Sequence, residues 1–390
     1  MIDYESCIPS RIQEIKPSGI RKFFDLVSGR PDVISLTVGE PDFVTPWHIR
    51  MAGIESLEKG KTYYTANAGL MELRTEISRY LERRFQAHYD PQKEIIVTVG
   101  GSEAIDLTFR ALLETGDEVI IPLPSFVCYE PLARLAGGTP VIVETKEENK
   151  FRLTAEELRA AITPKTKLLV LPYPNNPTGA ILTREDLEAI ERELRGTNIL
   201  ILSDEIYGEL TYGREHCSCA AMPGLAERTI LASGFSKAFA MTGWRMGYLC
   251  APAVIAKQIL KLHQYGIMSA PTTAQFAAIE AMRNGDEDVQ MMREEYNRRR
   301  RYLTAGLRSI GLSCFEPEGA FYVFPCIAGT GLSSEDFCRR LLEEYDVAIV
   351  PGNAFGDCGE GFARISYAYS VQHISKALER MESFLKSLRN

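Results

Sequence analysis

Residues 233–248 read SGFSKAFAMTGWRMGY, and the chain is organised around this stretch. It holds one lysine, Lys237, among small, apolar and hydroxyl side chains, and one arginine, Arg245. Desolvation penalises an ammonium and lowers its pKa, the condition under which an amine attacks a carbonyl and forms a Schiff base. A nearby arginine can hold a phosphate. Taken alone, the stretch is equally consistent with a strand end running into a loop, with Lys237 merely exposed. Its flanks, TILASG at 229–234 and WRMGYLCAP at 244–252, are apolar and strand-like, so the neighbouring runs have to decide.

Five such runs precede it: EIIVTVGG (94–101), EVIIPLPSF (118–126), TPVIVET (139–145), KLLVLPYP (167–174) and NILILSDEIY (198–207). Most are continuous rather than alternating, as expected when helices cover both faces of a sheet. Helical segments such as 154–162 and 183–194 separate them. The pattern predicts an α/β fold: a large domain, 47–275, with a mostly parallel seven-stranded sheet between helices. Helical patterns over 275–282, 289–310, 334–345 and from 372 onward, with strand candidates at 320–324, 347–350 and 362–368, predict a smaller α+β domain, 276–390. Residues 1–46 are expected to join it, with Phe23, Phe24, Leu26 and Val27 packing there. Within them VISLTVGEPDF (33–43) reads as a short strand that breaks at Gly39. A length of 390 residues also favours two domains over one core.

A net charge of −8 argues against a nucleic-acid partner, whose binding rests on neutralising phosphates. The Arg298-Arg299-Arg300-Arg301 run lies in a helical pattern and is expected on a solvated or interdomain face. Nine cysteines without paired spacings point to reduced thiols. His216-Cys217-Ser218-Cys219 lacks the second ligand pair that zinc requires, so no metal is expected. The opening MIDYESCIPSRIQ has no apolar core, and no apolar run reaches the ~20 residues of a membrane span. A cytoplasmic protein is the expectation.

Ligands in parallel α/β sheets gather at the carboxyl ends of the strands, and four of these ends carry polar groups. Gly100-Gly101-Ser102 ends one strand and opens a helix, a setting in which backbone amides and a hydroxyl can face an anion. Asn176, in Asn176-Pro177-Thr178-Gly179, can donate to a cofactor hydroxyl. Asp204 can pair with a protonated ring nitrogen, and Tyr207 can reach a ring oxygen. With Lys237 and Arg245, the set matches pyridoxal 5'-phosphate part by part. The GxGxxG fingerprint of a nicotinamide enzyme is absent.

In order along nearly the whole chain, TVGEPDF, YYTANAGLMELR, VGGSEAI, PNNPTG, SDEIY, SKAFAMTGWRMGY and FARISYA resemble the class I/II aminotransferases, which are fold-type I pyridoxal-phosphate enzymes. PSGIRKFFDLVSG and NRRRRYL are similar to the prokaryotic aromatic and aspartate branch. The resemblance implies that Lys237 binds the cofactor aldehyde and shuttles the substrate proton. Asp204 would pair with the pyridine nitrogen, Asn176 and Tyr207 would bond the ring 3-oxygen, and Phe126 would stack on the ring. Gly101, Ser102 and Arg245 would hold the phosphate, with Tyr64 reaching the neighbouring site of a homodimer. Arg364 would take the substrate α-carboxylate, with Gly39 and Asn176 beside it. Gly234 departs from the aspartate branch, which often has a phosphate-binding serine there; Ser236 is the substitute that the resemblance leaves. The implied activity is ping-pong transfer of an amino group from an aromatic or aspartate-like L-amino acid to a 2-oxo acid such as 2-oxoglutarate. A carbon–sulfur β-lyase on the same fold is the alternative. Tyr64, Phe126 and Tyr129 as pocket residues lean the substrate towards aromatic.

Overall fold

A computed structural model describes residues 2–17, 19, 30 and 32–389. The aromatic and aliphatic side chains expected to pack at Phe23, Phe24, Leu26 and Val27 lie outside the described residues.

The β-branched and leucine-rich runs form a seven-stranded sheet. Its strands are β2 (Ile95–Thr98), β3 (Glu118–Leu123), β4 (Thr139–Glu144), β5 (Thr166–Leu171), β6 (Leu200–Asp204), β7 (Thr229–Gly234) and β8 (Gly247–Cys250), following a short β1 (Ile34–Ser35) elsewhere. Their order is β2-β8-β7-β6-β5-β3-β4, and only β8 runs antiparallel to its neighbours. The continuous apolar pattern is explained by cover on both faces. Val119, Ile121, Leu168, Val170 and Leu202 pack with Phe109 and Ile259 on one side. Ile120, Leu169, Leu171 and Ile201 pack with Leu158, Leu187 and Ile190 on the other. The period-2 alternation of side-chain direction thus divides one apolar run between two cores. Helices Ala155–Ala161 and Arg184–Leu194 start where Thr154 with Glu157 and Thr183 with Asp186 form reciprocal capping boxes.

A further core gathers Leu303, Leu307, Phe337, Leu341, Ile374 and Phe384 from helices Asp286–Ser309, Ser334–Tyr345 and Val371–Ser387. It covers a small antiparallel sheet in which β12 (Ala363–Ser366) lies between β9 (Tyr322–Val323) and β11 (Val350–Pro351). β1 pairs parallel with β10 (Val347–Ala348), and Ile34 and Leu36 enter this core.

The arginine run is only partly solvated. Arg299 and Arg300 are buried. Arg299 reaches Asp42 at 2.7 Å, and Arg300 reaches Glu316 at 3.0 Å. On a helix four consecutive residues fan out over about 300°, so the run could not stay on one face.

Candidate active site

The carboxyl ends of β2, β3, β5, β6 and β7 meet the start of β8 along one edge of the large sheet. A cavity of about 270 Å³ opens there, lined by residues from that edge and from β9 and β12. Of the residues singled out from sequence, Gly39, Gly101, Ser102, Phe126, Asn176, Asp204, Tyr207, Ser236, Lys237, Arg245 and Arg364 all line it. Tyr64 does not: it is 79% exposed.

Lys237 follows β7 and is half-buried, its Nζ donating to the Gly39 carbonyl at 2.6 Å. Burial lowers its pKa from 10.5 to about 8, against the pull of Glu40 and with the push of Arg245 and Arg364. A substantial neutral fraction near physiological pH makes this amine a competent nucleophile and base.

Asp204 ends β6 as a buried carboxylate. Oδ2 accepts from the Tyr129 hydroxyl at 2.6 Å and Oδ1 from the Ile206 amide at 3.2 Å. Burial raises its pKa, and those two donors resist the rise. The next residue, Glu205, is held apart from this site by His216, Ser203, Ser218 and the Cys219 amide. The histidine of the His216–Cys219 cluster is thus a hydrogen-bond partner of Glu205.

Arg364, on β12, is 2% exposed. Nη1 donates to Asn176 Oδ1 at 3.0 Å, Nη2 donates to the Thr37 carbonyl, and Nε has no partner. The guanidinium lies over the rings of Tyr322 and Phe355, at 4.6 and 4.9 Å from their centroids. No carboxylate pairs with it among the described residues, and burial pulls its pKa down. A buried cation with an open donor face is suited to a planar anion.

The other anion-seeking group is Arg245, whose Nη1 donates to the Thr242 carbonyl at 2.9 Å. Its Nη2 lies against Gly100, where an added Cβ would approach within 2.7 Å. Gly100 has φ +78°, and the helix Gly101–Leu112 that follows has no side-chain cap on its first amides. A Cβ at Gly247 would come within 2.5 Å of the Gly100 carbonyl carbon, so two backbones pass in contact here. Uncapped amides at a helix start, beside a guanidinium that pairs with no carboxylate among the described residues, form an anion cradle.

Gly234 explains itself by the same test. It faces Gly247 in the β7–β8 ladder, and an added Cβ would stand 2.9 Å from Gly247 Cα and from the Met246 carbonyl. A serine has no room. Ser236 lines the cavity in its stead.

Sequence reading missed Tyr129 as the donor to Asp204, Thr37 as the Arg364 acceptor, and Tyr322 altogether. Tyr322 sits in GAFYVF, an apolar run with the look of ordinary core. Contacts to residues distant in the chain gave none of the three a local signal.

Residues 31–381 match the model of the family described as aminotransferase class I and II. The chain is 53% identical over 380 residues to a putative aminotransferase, YugH, of Bacillus subtilis, covering 97% of this chain and 98% of the relative. It is 47% identical over 385 residues to a probable N-acetyl-LL-diaminopimelate aminotransferase of the same organism, covering 99% and 97%. The crystal structure of the aromatic aminotransferase from Pyrococcus horikoshii is similar at a TM-score of 0.90 and 44% identity, covering 95% of this chain and 99% of that one. The chain therefore belongs to the class I and II aminotransferases, a family of pyridoxal-phosphate-dependent enzymes with the fold-type I architecture. It is an aminotransferase, and the lyase alternative is not favoured.

Proposed function

We propose that this cavity binds pyridoxal 5'-phosphate and transfers the amino group of an L-amino acid, aromatic by preference, to a 2-oxo acid such as 2-oxoglutarate. One observation carries the reading: a buried guanidinium without a carboxylate, Arg364, faces the same cavity as a lysine whose pKa is drawn down to about 8. The donor set fits the cofactor. The Gly101 amide end, Ser102, Ser236 and Arg245 suit its phosphate, Asp204 its ring nitrogen, Asn176 and Tyr207 its ring oxygen, Phe126 its ring face and Lys237 its aldehyde. Tyr64, exposed on its own subunit, would complete the phosphate site of a second copy in a homodimer.

When bound, the cofactor supplies a ring that holds the charge left at the substrate Cα. Asp204, whose two oxygens accept from the Tyr129 hydroxyl and the Ile206 amide, would hold a proton on the ring nitrogen. Arg364 and Asn176 orient the α-carboxylate, with Gly39 beside them, so that the Cα–H faces Lys237. Lys237 Nζ then removes that proton and returns it as a general acid. The aromatic preference is supported by the likeness to the Pyrococcus horikoshii aromatic aminotransferase and by apolar side chains such as Ile105, Pro172 and Pro174 in the cavity lining. The reading also takes residues 47–275 as the cofactor domain and 1–46 with 276–390 as the small domain, in a cytoplasmic enzyme.

The test is to mix purified enzyme, loaded with pyridoxal phosphate, with an amino acid alone. A single stoichiometric conversion of the cofactor to its amine form, reversed by a 2-oxo acid, is expected. Continuous release of pyruvate and ammonia refutes transamination. Rates over tyrosine, phenylalanine, aspartate, alanine and kynurenine test the aromatic preference, and exclusive aspartate turnover sinks it.

A further inference from the structure

Tyr322 meets three groups of the site at once. Its hydroxyl is 2.7 Å from that of Tyr207, and the two rings pack edge to face at 5.8 Å and 80°. Its ring face carries the Arg364 guanidinium at 4.6 Å. A Cβ on Gly39 would stand 2.3 Å from its hydroxyl, so Tyr322 fills the space that keeps position 39 a glycine. The side chain is fully buried. Its place is set by β9, where Tyr322 pairs with Ser366 of β12, the strand that carries Arg364.

A hydroxyl has one proton to donate. If Tyr207 spends its proton on the cofactor ring oxygen, the bond between the two tyrosines has to be donated by Tyr322. The hydroxyl array then has one direction, from Tyr322 to Tyr207 to the cofactor. The quadrupole of the same ring attracts the Arg364 cation and holds it where a carboxylate arrives. We propose that Tyr322 is a positioning residue that joins the two halves of the site, aiming the Tyr207 proton with its hydroxyl and seating Arg364 with its ring. The proposal rests on the assignment of Tyr207 to the cofactor ring oxygen. The competing view makes Tyr322 a core aromatic like its neighbours Phe321 and Phe324.

Y322F separates the two, because it keeps the ring and loses only the hydroxyl. Wild type, Y322F, Y207F and the double variant, all loaded with pyridoxal phosphate, are titrated with pH while cofactor absorbance is followed. Each is also melted. Absence of a pH-dependent cofactor band in wild type overturns the site assignment and this proposal with it. Given that band, Y322F moves its midpoint upward by roughly half to one pH unit, the worth of one hydrogen bond to the group that stabilises the ring oxygen. Its melting stays near that of wild type. In the Y207F background the second substitution adds nothing, the signature of a shared path. An unmoved midpoint in Y322F, or an equal shift with and without the Tyr207 hydroxyl, overturns the hydroxyl role while leaving the cofactor assignment intact. Y322L removes the ring and raises the amino-acid KM about tenfold with a smaller effect on kcat. An unchanged KM overturns the Arg364 role.

Discussion

Arg364 Nη1 donates to Asn176 Oδ1 across 3.0 Å, tying β12 of the small sheet to the turn that follows β5 of the large one. Both residues line the cavity, and Nε of the same guanidinium is buried without a partner among the described residues. This donor arrangement suits a planar anion.

Arg364→Lys keeps the charge and loses the fork. We expect kcat/KM for amino acids to fall at least about 100-fold, or about 3 kcal/mol, mostly through KM. The cofactor absorbance should survive, since Lys237 is untouched. A loss smaller than about threefold contradicts carboxylate binding by Arg364.

Lys237→Ala should abolish turnover while the fold persists by circular dichroism. The pH dependence of stability has a definite sign in protein stripped of cofactor. A lysine whose folded pKa falls from 10.5 to about 8 binds fewer protons folded than unfolded between those values. Its burial therefore opposes folding below about pH 8, and stability recovers as pH rises from about 8 towards 10.5. Lys237→Met should melt higher than wild type at pH 7, and the gap should close over that window. A constant gap from pH 7 to 10.5 rules out the depressed pKa.

Tyr129→Phe removes a donor from a carboxylate already raised by burial. The Asp204 pKa should climb further, so its ionised form is lost at a higher pH than in wild type. Cofactor affinity, titrated by absorbance, should weaken about tenfold at pH 6 and less at pH 8. An equal loss at both pH values argues for a packing defect instead.

Gly234→Ser tests why this chain departs from the aspartate branch. The new Cβ would press on Gly247 Cα and the Met246 carbonyl, both backbone. Thermal melts should show destabilisation of about 1–3 kcal/mol, with no gain in cofactor affinity. Tighter cofactor binding without loss of stability defeats the steric account.

Much of this was legible from sequence because it is local. Continuous apolar runs between capped helices mark strands covered on both faces, and all seven runs became strands of one sheet. Asn176, Asp204 and Lys237 stand at strand ends, where a change of pattern is visible in the chain itself. The arginine run shows the limit. Composition suggests a solvated or interdomain face and cannot say which arginine turns inward; Arg299 and Arg300 are buried because the helix turns them towards Asp42 and Glu316.

The amino-acid sequence alone determined the elements and the set of chemical groups, because periodicity and residue type are properties of neighbours in the chain. Tertiary structure alone decided which groups touch. Tyr129 donates to Asp204 and Tyr322 stands between Tyr207 and Arg364 only because β3, β6, β9 and β12 bring their ends to one cavity. Burial in that cavity lowers the Lys237 pKa, and desolvation by distant segments is not written at any single position.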